Sequence, residues 1–168
     1  MRRLTIAALF VLLTAPLIHA QQELFKSLFI YNFTKNIEWP DEYKSGDFII
    51  TVIGQDGLTG ELQKLAQTKK VNTQPIVVKQ LTTVAGASKT NIVYVSSSKS
   101  SNLATVVDTY KNSPTLIISD QGGGCKTGSG INFVIVDGKI KFEISPGNIT
   151  SSGLQLSPKL TSLGITVE

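Results

Sequence analysis

Asp137-Gly138 lies between two six-residue runs, INFVIV at 131–136 and KIKFEI at 139–144. Asp-Gly tolerates the positive backbone angles of a two-residue turn. Flanked by apolar runs, it is the strongest short-range hairpin signal. Such a turn sets Ile135 opposite Ile140, Phe133 opposite Phe142 and Ile131 opposite Ile144. Side chains in a strand repeat every two residues, so these six share one face. Asn132, Val134, Lys141 and Glu143 share the other, and both strands agree on one register.

Upstream, short β-branched runs alternate with helical patterns. FIITVI at 48–53, bounded by Gly46 and Gly54, reads as a buried strand, as do Ile76 to Leu81, NIVYV at 91–95 and TLIIS at 115–119. Leu58 to Ala66 has Leu58, Leu62 and Leu65 at helical spacing. Ser100 to Tyr110 reads as a helix on Leu103, Val106, Val107 and Tyr110. NIVYV, this helix and TLIIS form a βαβ unit with parallel strands and a right-handed crossover. Gln22 to Ile37 shows one apolar stripe, Leu24, Phe25, Leu28, Phe29, Phe33 and Ile37, with Glu23, Lys26 and Lys35 off it. Pro40 ends that helix by excluding the helical conformation at Trp39. The tail allows a short turn at 146–152 and a short helix near 157–163. The expected fold is α/β: one domain, a mixed sheet with a βαβ unit and the hairpin at 131–144, and helices packed on the sheet.

The first twenty residues carry a different pattern. Arg2 and Arg3 precede an apolar run from Leu4 to Leu13 broken only by Thr5. Pro16 follows, and a cleavage point falls between Ala20 and Gln21. This is the layout of a secretory signal peptide, residues 1–20, ahead of a domain at 21–168. The alternative, a membrane anchor, needs about 20 apolar residues, more than this run supplies. No later stretch is long enough to span, so the expected product is an exported, periplasmic protein with no transmembrane segment.

The leader also holds Met1, Arg2, Arg3 and His19. Downstream of it there is no Met, Arg or His, and the one Cys is Cys125. Without His, the usual general base and the usual activator of Ser or Cys are missing. A zinc site built on His or on several Cys is ruled out. So are an intrachain disulfide and a bidentate Arg clamp. The lysines are scattered, so the basic balance gives no case for nucleic acid. The serine runs at 96–98, 100–101 and 151–152 lack a partner base. The expectation is no enzyme, no metal and no cofactor.

Four places remain as candidate sites. Residues 24–43 hold Phe25, Phe29, Tyr31, Phe33, Trp39 and Tyr43. Phe25, Leu28, Phe29 and Phe33 are assigned to the core. Tyr31, Asn32 and Trp39 are expected at the surface as a partner-binding patch. Gly54, Asp56, Ser97 and Asp120 follow likely parallel strands, where open α/β sheets bind ligands, although turn and cap chemistry also explains them. The stretch QGGGCKTGSG at 121–130 places Cys125 where a phosphate-binding loop needs Gly before Lys126, so it reads as a mobile surface loop. Cys125 itself is either a free thiol or half of a bridge between two chains.

Two segments taken together are distinctive. LFKSLFIYNFTKNIEWP at 24–40 is one; GINFVIVDGKIKFEI at 130–144, followed by GLQLSPKLTSLG at 153–164, is the other. The chain resembles the YfiR-like family of exported bacterial proteins over residues 22–164. The resemblance implies a periplasmic α/β domain, often dimeric, with no recognised catalytic residues. It implies a non-enzymatic regulator that represses an inner-membrane signalling protein, such as a diguanylate cyclase or a sensor kinase, by binding its periplasmic part. The alternative is a periplasmic small-molecule-binding domain. Members can carry redox-responsive Cys pairs; the lone Cys125 departs from that pattern.

Overall fold

The computed structural model describes residues 21–54, 57–84 and 88–168. The leader, Ala20 included, and Asp56 lie outside the described residues. The chain is helical over 21–33 (α1) and continues through β1 (Ile37–Glu38) to β2 (Phe48–Ile53), α2 (Leu58–Ala66), β3 (Lys70–Val71) and β4 (Gln74–Leu81). Then come β5 (Ile92–Val95), a 3-10 segment (Ser97–Asn102), α3 (Leu103–Tyr110) and β6 (Leu116–Ser119). α4 (Gly124–Thr127), β7 (Ile131–Val136), β8 (Lys139–Ile144), α5 (Pro146–Ser151), β9 (Gln155–Leu156), α6 (Pro158–Leu163) and β10 (Ile165–Thr166) complete it.

The main sheet has the strand order β10-β8-β7-β6-β5-β2-β4-β3. Strands β4, β2, β5, β6 and β7 run parallel, β8 and β3 pair antiparallel with their neighbours, and β10 runs parallel to β8. The expected mixed α/β sheet is therefore present, and β5-α3-β6 is the expected βαβ unit. The continuous apolar runs are explained by burial on both faces. Ile92 and Tyr94 of β5 enter one core cluster together with Ile30, Phe33, Leu58 and Leu62 of α1 and α2. Val93 and Val95 enter a second cluster with Leu103, Val106 and Tyr110 of α3.

The hairpin forms in the register that Asp137-Gly138 dictates: Ile135 faces Ile140, Phe133 faces Phe142, and Ile131 faces Ile144. Asp137 and Gly138 have φ of 52° and 71°, the left-handed pair that a type I′ turn requires. α5 and α6 occupy the places read for the short turn and helix, each with a serine N-cap, Ser145 and Ser157, and a proline in its first turn.

Three expectations are corrected. First, the buried face of α1 is made by Lys26, Ser27, Ile30 and Phe33, while Leu24, Phe25 and Leu28 are exposed. At about 100° per residue, Leu24 and Leu28 lie roughly opposite Ile30 and Phe33, and Phe25 falls between Leu28 and Phe29. The helix thus has two apolar faces, which a single broad stripe had merged. Second, Trp39 is not at the surface. It is 5% exposed, stands edge-on to Phe48 with centroids 5.0 Å apart, and donates its indole N–H to the Asn91 carbonyl at 3.3 Å. Beyond α1 the chain turns inward at β1, which pairs with β9 in a separate two-stranded sheet.

Third, the glycine-rich segment is packed. α4 buries Cys125, and a polar network holds it. The Ser119 hydroxyl donates to Asn132 Oδ1 at 2.7 Å and meets the Ser129 hydroxyl at 2.8 Å. Asn148 Nδ2 donates to the carbonyls of Cys125 and Ser129 at 2.8 and 2.9 Å. A Cβ at Gly124 would collide with Ser119 Oγ and Asn132 Oδ1, so glycine there serves close packing rather than mobility.

Candidate functional site

Two surfaces meet at the first turns of α1. Phe29 and Phe33 seat the helix on the hairpin. Phe33 is 4.9 Å from Phe142 and 6.1 Å from Phe133, and Phe29 is 5.7 Å from Phe142. Such aromatic pairs contribute roughly 0.5–1.5 kcal/mol each beyond area burial. With that side fixed, Leu24, Phe25 and Leu28 project outward, at 44%, 45% and 44% exposure. Phe25 and Phe29 line an open groove of about 390 Å³ with Gly138, Lys139 and Ile140 of the hairpin tip. Across the tip from Ile140, Ile135 is also exposed. Large apolar side chains gathered on one surface, rather than scattered singly, mark an interaction site.

The residues expected to form the partner patch are divided by the fold. Asn32 is exposed on α1, and its carbonyl accepts from Asn36 Nδ2 at 2.9 Å. Tyr31 is half-buried: its ring lies 4.4 Å below the Lys35 ammonium and its hydroxyl donates to the Lys70 carbonyl at 3.4 Å. Trp39 belongs to the core. The exposed side chains sequence reasoning missed, Leu24, Phe25 and Leu28, carried a signal: apolar residues run around the whole of α1, and only one side can face the sheet.

Inward of this surface lies a polar cavity of about 390 Å³. It sits at the C-terminal ends of the parallel strands, as the sequence suggested. Ser96, Ser97 and Ser98 after β5 and Asp120 after β6 line it. Gly54 does not; it packs behind Ser96, where a Cβ would strike the Ser96 hydroxyl, and its carbonyl accepts from Gln80 Nε2 at 2.8 Å. Asp56 lies outside the described residues. Unforeseen is the contribution of α1, whose Gln22, Glu23 and Lys26 complete the wall.

Lys26 is 8% exposed and charge-paired on two sides. Its Nζ donates to Asp120 Oδ2 at 2.7 Å and to Glu23 Oε1 at 2.9 Å. Burial by itself would lower the Lys26 pKa. The hydrogen bonds and negative charges of Asp120 and Glu23 outweigh it and hold the ammonium above its ordinary range. The Tyr94 hydroxyl donates to the same Asp120 oxygen at 3.1 Å. Lys26 looks like a solvent residue in the sequence because nothing local marks Asp120 as its partner.

Cys125 sits apart from both surfaces, 4% exposed, with Ser129 Oγ 3.9 Å from its sulfur. Burial pushes its thiol up to about 11. A bridge to a second chain would require α4 to leave its packing, so the fold favours the free thiol. Among the described residues no group of three or more His, Cys, Asp or Glu is placed to hold a metal ion. No helix among them is long and apolar enough to cross a membrane.

A comparison with curated proteins finds no match. The sequence model of the YfiR/HmsC-like family matches residues 24–165, from the exposed start of α1 to the first residue of β10. With nearly the whole chain covered, the protein belongs to the YfiR/HmsC-like family.

Proposed function

We propose that this protein is an exported, non-enzymatic regulator that docks through α1 and the hairpin tip on the periplasmic part of an inner-membrane signalling protein, and holds it inactive. A diguanylate cyclase is the first candidate partner and a sensor kinase the second. Its family is periplasmic and regulatory and points to cyclic-di-GMP signalling. Cleavage of residues 1–20 between Ala20 and Gln21 would free the start of α1.

The observation that carries this reading is the exposed face Leu24, Phe25 and Leu28, on a helix whose opposite face is already committed to the core. Contiguous exposed apolar side chains mark interaction sites, and phenylalanine is enriched at the core of protein interfaces, so Phe25 is the expected anchor with Leu24 and Leu28 as its apolar surround. Docking would act by binding the inactive conformation of the partner more tightly than the active one, since only differential affinity shifts a population.

The test is a pair of exposed-face variants, Phe25→Ser and Leu28→Ser, made in the producing cell. Both should keep wild-type thermal stability, raise cellular cyclic-di-GMP and lose the membrane partner on co-purification. Variants that stay folded and leave both readouts at the wild-type level would overturn the docking surface. If only cyclic-di-GMP stays unchanged while the membrane partner is lost, the cyclase gives way to the kinase.

A further inference from the structure

The cavity beneath the first turns of α1 carries more acceptors than donors in its charged lining. Glu23 and Asp120 bring two carboxylates to the single ammonium of Lys26. Lys26 and Tyr94 both donate to Asp120 Oδ2, which leaves Oδ1 for another donor. Glu23 Oε1 takes its bond from Lys26, while Glu23 Oε2 is buried with no hydrogen-bond partner. Glu23 therefore adds negative charge beside the cavity that Lys26 shares with Asp120. Around this cluster stand the hydroxyls of Ser97 and Ser98. The remaining wall, Phe133, Ile135 and Ile140, is apolar.

We propose that this cavity binds a small organic ammonium compound with an apolar body. Its ammonium donates to Asp120 Oδ1 and cancels the net negative charge of the Glu23, Lys26 and Asp120 cluster. Its apolar part lies against the hairpin wall. The volume fits the lower end of small-molecule sites, roughly 300–1,000 Å³, and therefore a single ring on a short amine arm. An anionic ligand would face two carboxylates around a lysine already neutralised. A metal ion would face the lysine ammonium itself, and the two carboxylates are too few ligands for it. This site does not depend on the identity of the docking partner.

Isothermal titration of the purified protein with phenethylamine, 2-phenylethanol and 3-phenylpropionate tests it, since the three share a body and differ in charge. Phenethylamine should bind at millimolar concentration or below, at least tenfold more tightly than either counterpart. Asp120→Asn should weaken it at least tenfold. Gln22→Lys, on the cavity wall and away from the core, adds a positive charge and should weaken it several-fold at unchanged thermal stability. That variant decides the matter if Asp120→Asn unfolds. Absence of phenethylamine binding, equal binding of the neutral or anionic compound, or wild-type affinity in Gln22→Lys would each overturn the proposal.

Discussion

Lys26 and Asp120 stand 94 residues apart in the chain, yet the ammonium of one lies 2.7 Å from the carboxylate of the other. The bond fastens α1 to the C-terminal end of β6, and both residues line the polar cavity. It therefore joins the two surfaces of interest. Lys26 faces inward to the cavity, while Leu24, Phe25 and Leu28 on the same helix face outward.

The first prediction concerns the energy of that bond. Lys26→Met and Asp120→Ala should each destabilise the protein, since each leaves a partly buried charge with fewer partners. In the double variant the losses should fall short of additive, with a coupling of about 0.5–3 kcal/mol, the range for residues in one polar network. Urea titrations of the four proteins measure it. Additive losses would mean that α1 is held by its aromatic contacts alone.

A second prediction follows from the raised Lys26 pKa. The folded value lies above the unfolded one, about 10.4. The stabilisation is therefore fully present below about pH 10.4 and lost as pH rises through the higher folded value. The stability gap between wild type and Lys26→Met should be flat from neutral pH to about pH 10 and narrow above it. A gap that closes already near neutral pH would contradict the assignment.

The strands and the hairpin were legible because their signals are local. Asp137-Gly138 fixes its own turn, and the period of two then aligns Ile131 with Ile144 without help from the rest of the fold. The runs around Ile50, Val93 and Ile117 announce burial on both faces by lacking any polar alternation. Helix α1 was misread because helical spacing shows that apolar faces exist, not which one meets the sheet. Ile30 was absent from the stripe, whereas Leu24 and Phe25 were in it. That choice is made by Phe133 and Phe142, a hundred or more positions away. The cavity was half legible. The rule that ligands collect beyond parallel strands found Ser97 and Asp120, but no rule of spacing could bring Glu23 and Lys26 to them. Trp39 was misjudged because the return of the chain into β1 depends on pairing with β9, two short strands with no pattern of their own.

The third prediction separates the two sets of aromatic side chains. Trp39→Ala should destabilise the fold by about 3–5 kcal/mol, the range for a large aromatic removed from a core, while the Asn91 carbonyl keeps the Leu116 N–H as a donor. Asn32→Ala, on the exposed surface of α1, should change stability by no more than about 0.5 kcal/mol. Thermal melts of the two variants are sufficient. A Trp39→Ala protein with wild-type stability would place the indole outside the core.

The last prediction concerns Cys125. Its thiol is shut in beside Ser129, and burial pushes its pKa up to about 11, with the nearby charge of Glu143 acting in the same direction. The thiolate is the reactive form, so at pH 8 the native protein should react with a disulfide reagent orders of magnitude more slowly than the urea-unfolded chain. Under mild oxidation it should run as a monomer on a non-reducing gel, and a reducible dimer should appear only when partly denatured protein is oxidised. The sign of the pH effect follows the same logic. The folded pKa is raised above the unfolded value of about 8.5, so the contribution is intact below that pH and is lost as pH rises through about 11. Cys125→Ser should reduce the loss of stability over that alkaline range. Rapid labelling of the native thiol at pH 8, or a dimer formed from fully native protein, would show that α4 opens far more readily than its packing against Ser119, Asn132 and Asn148 implies.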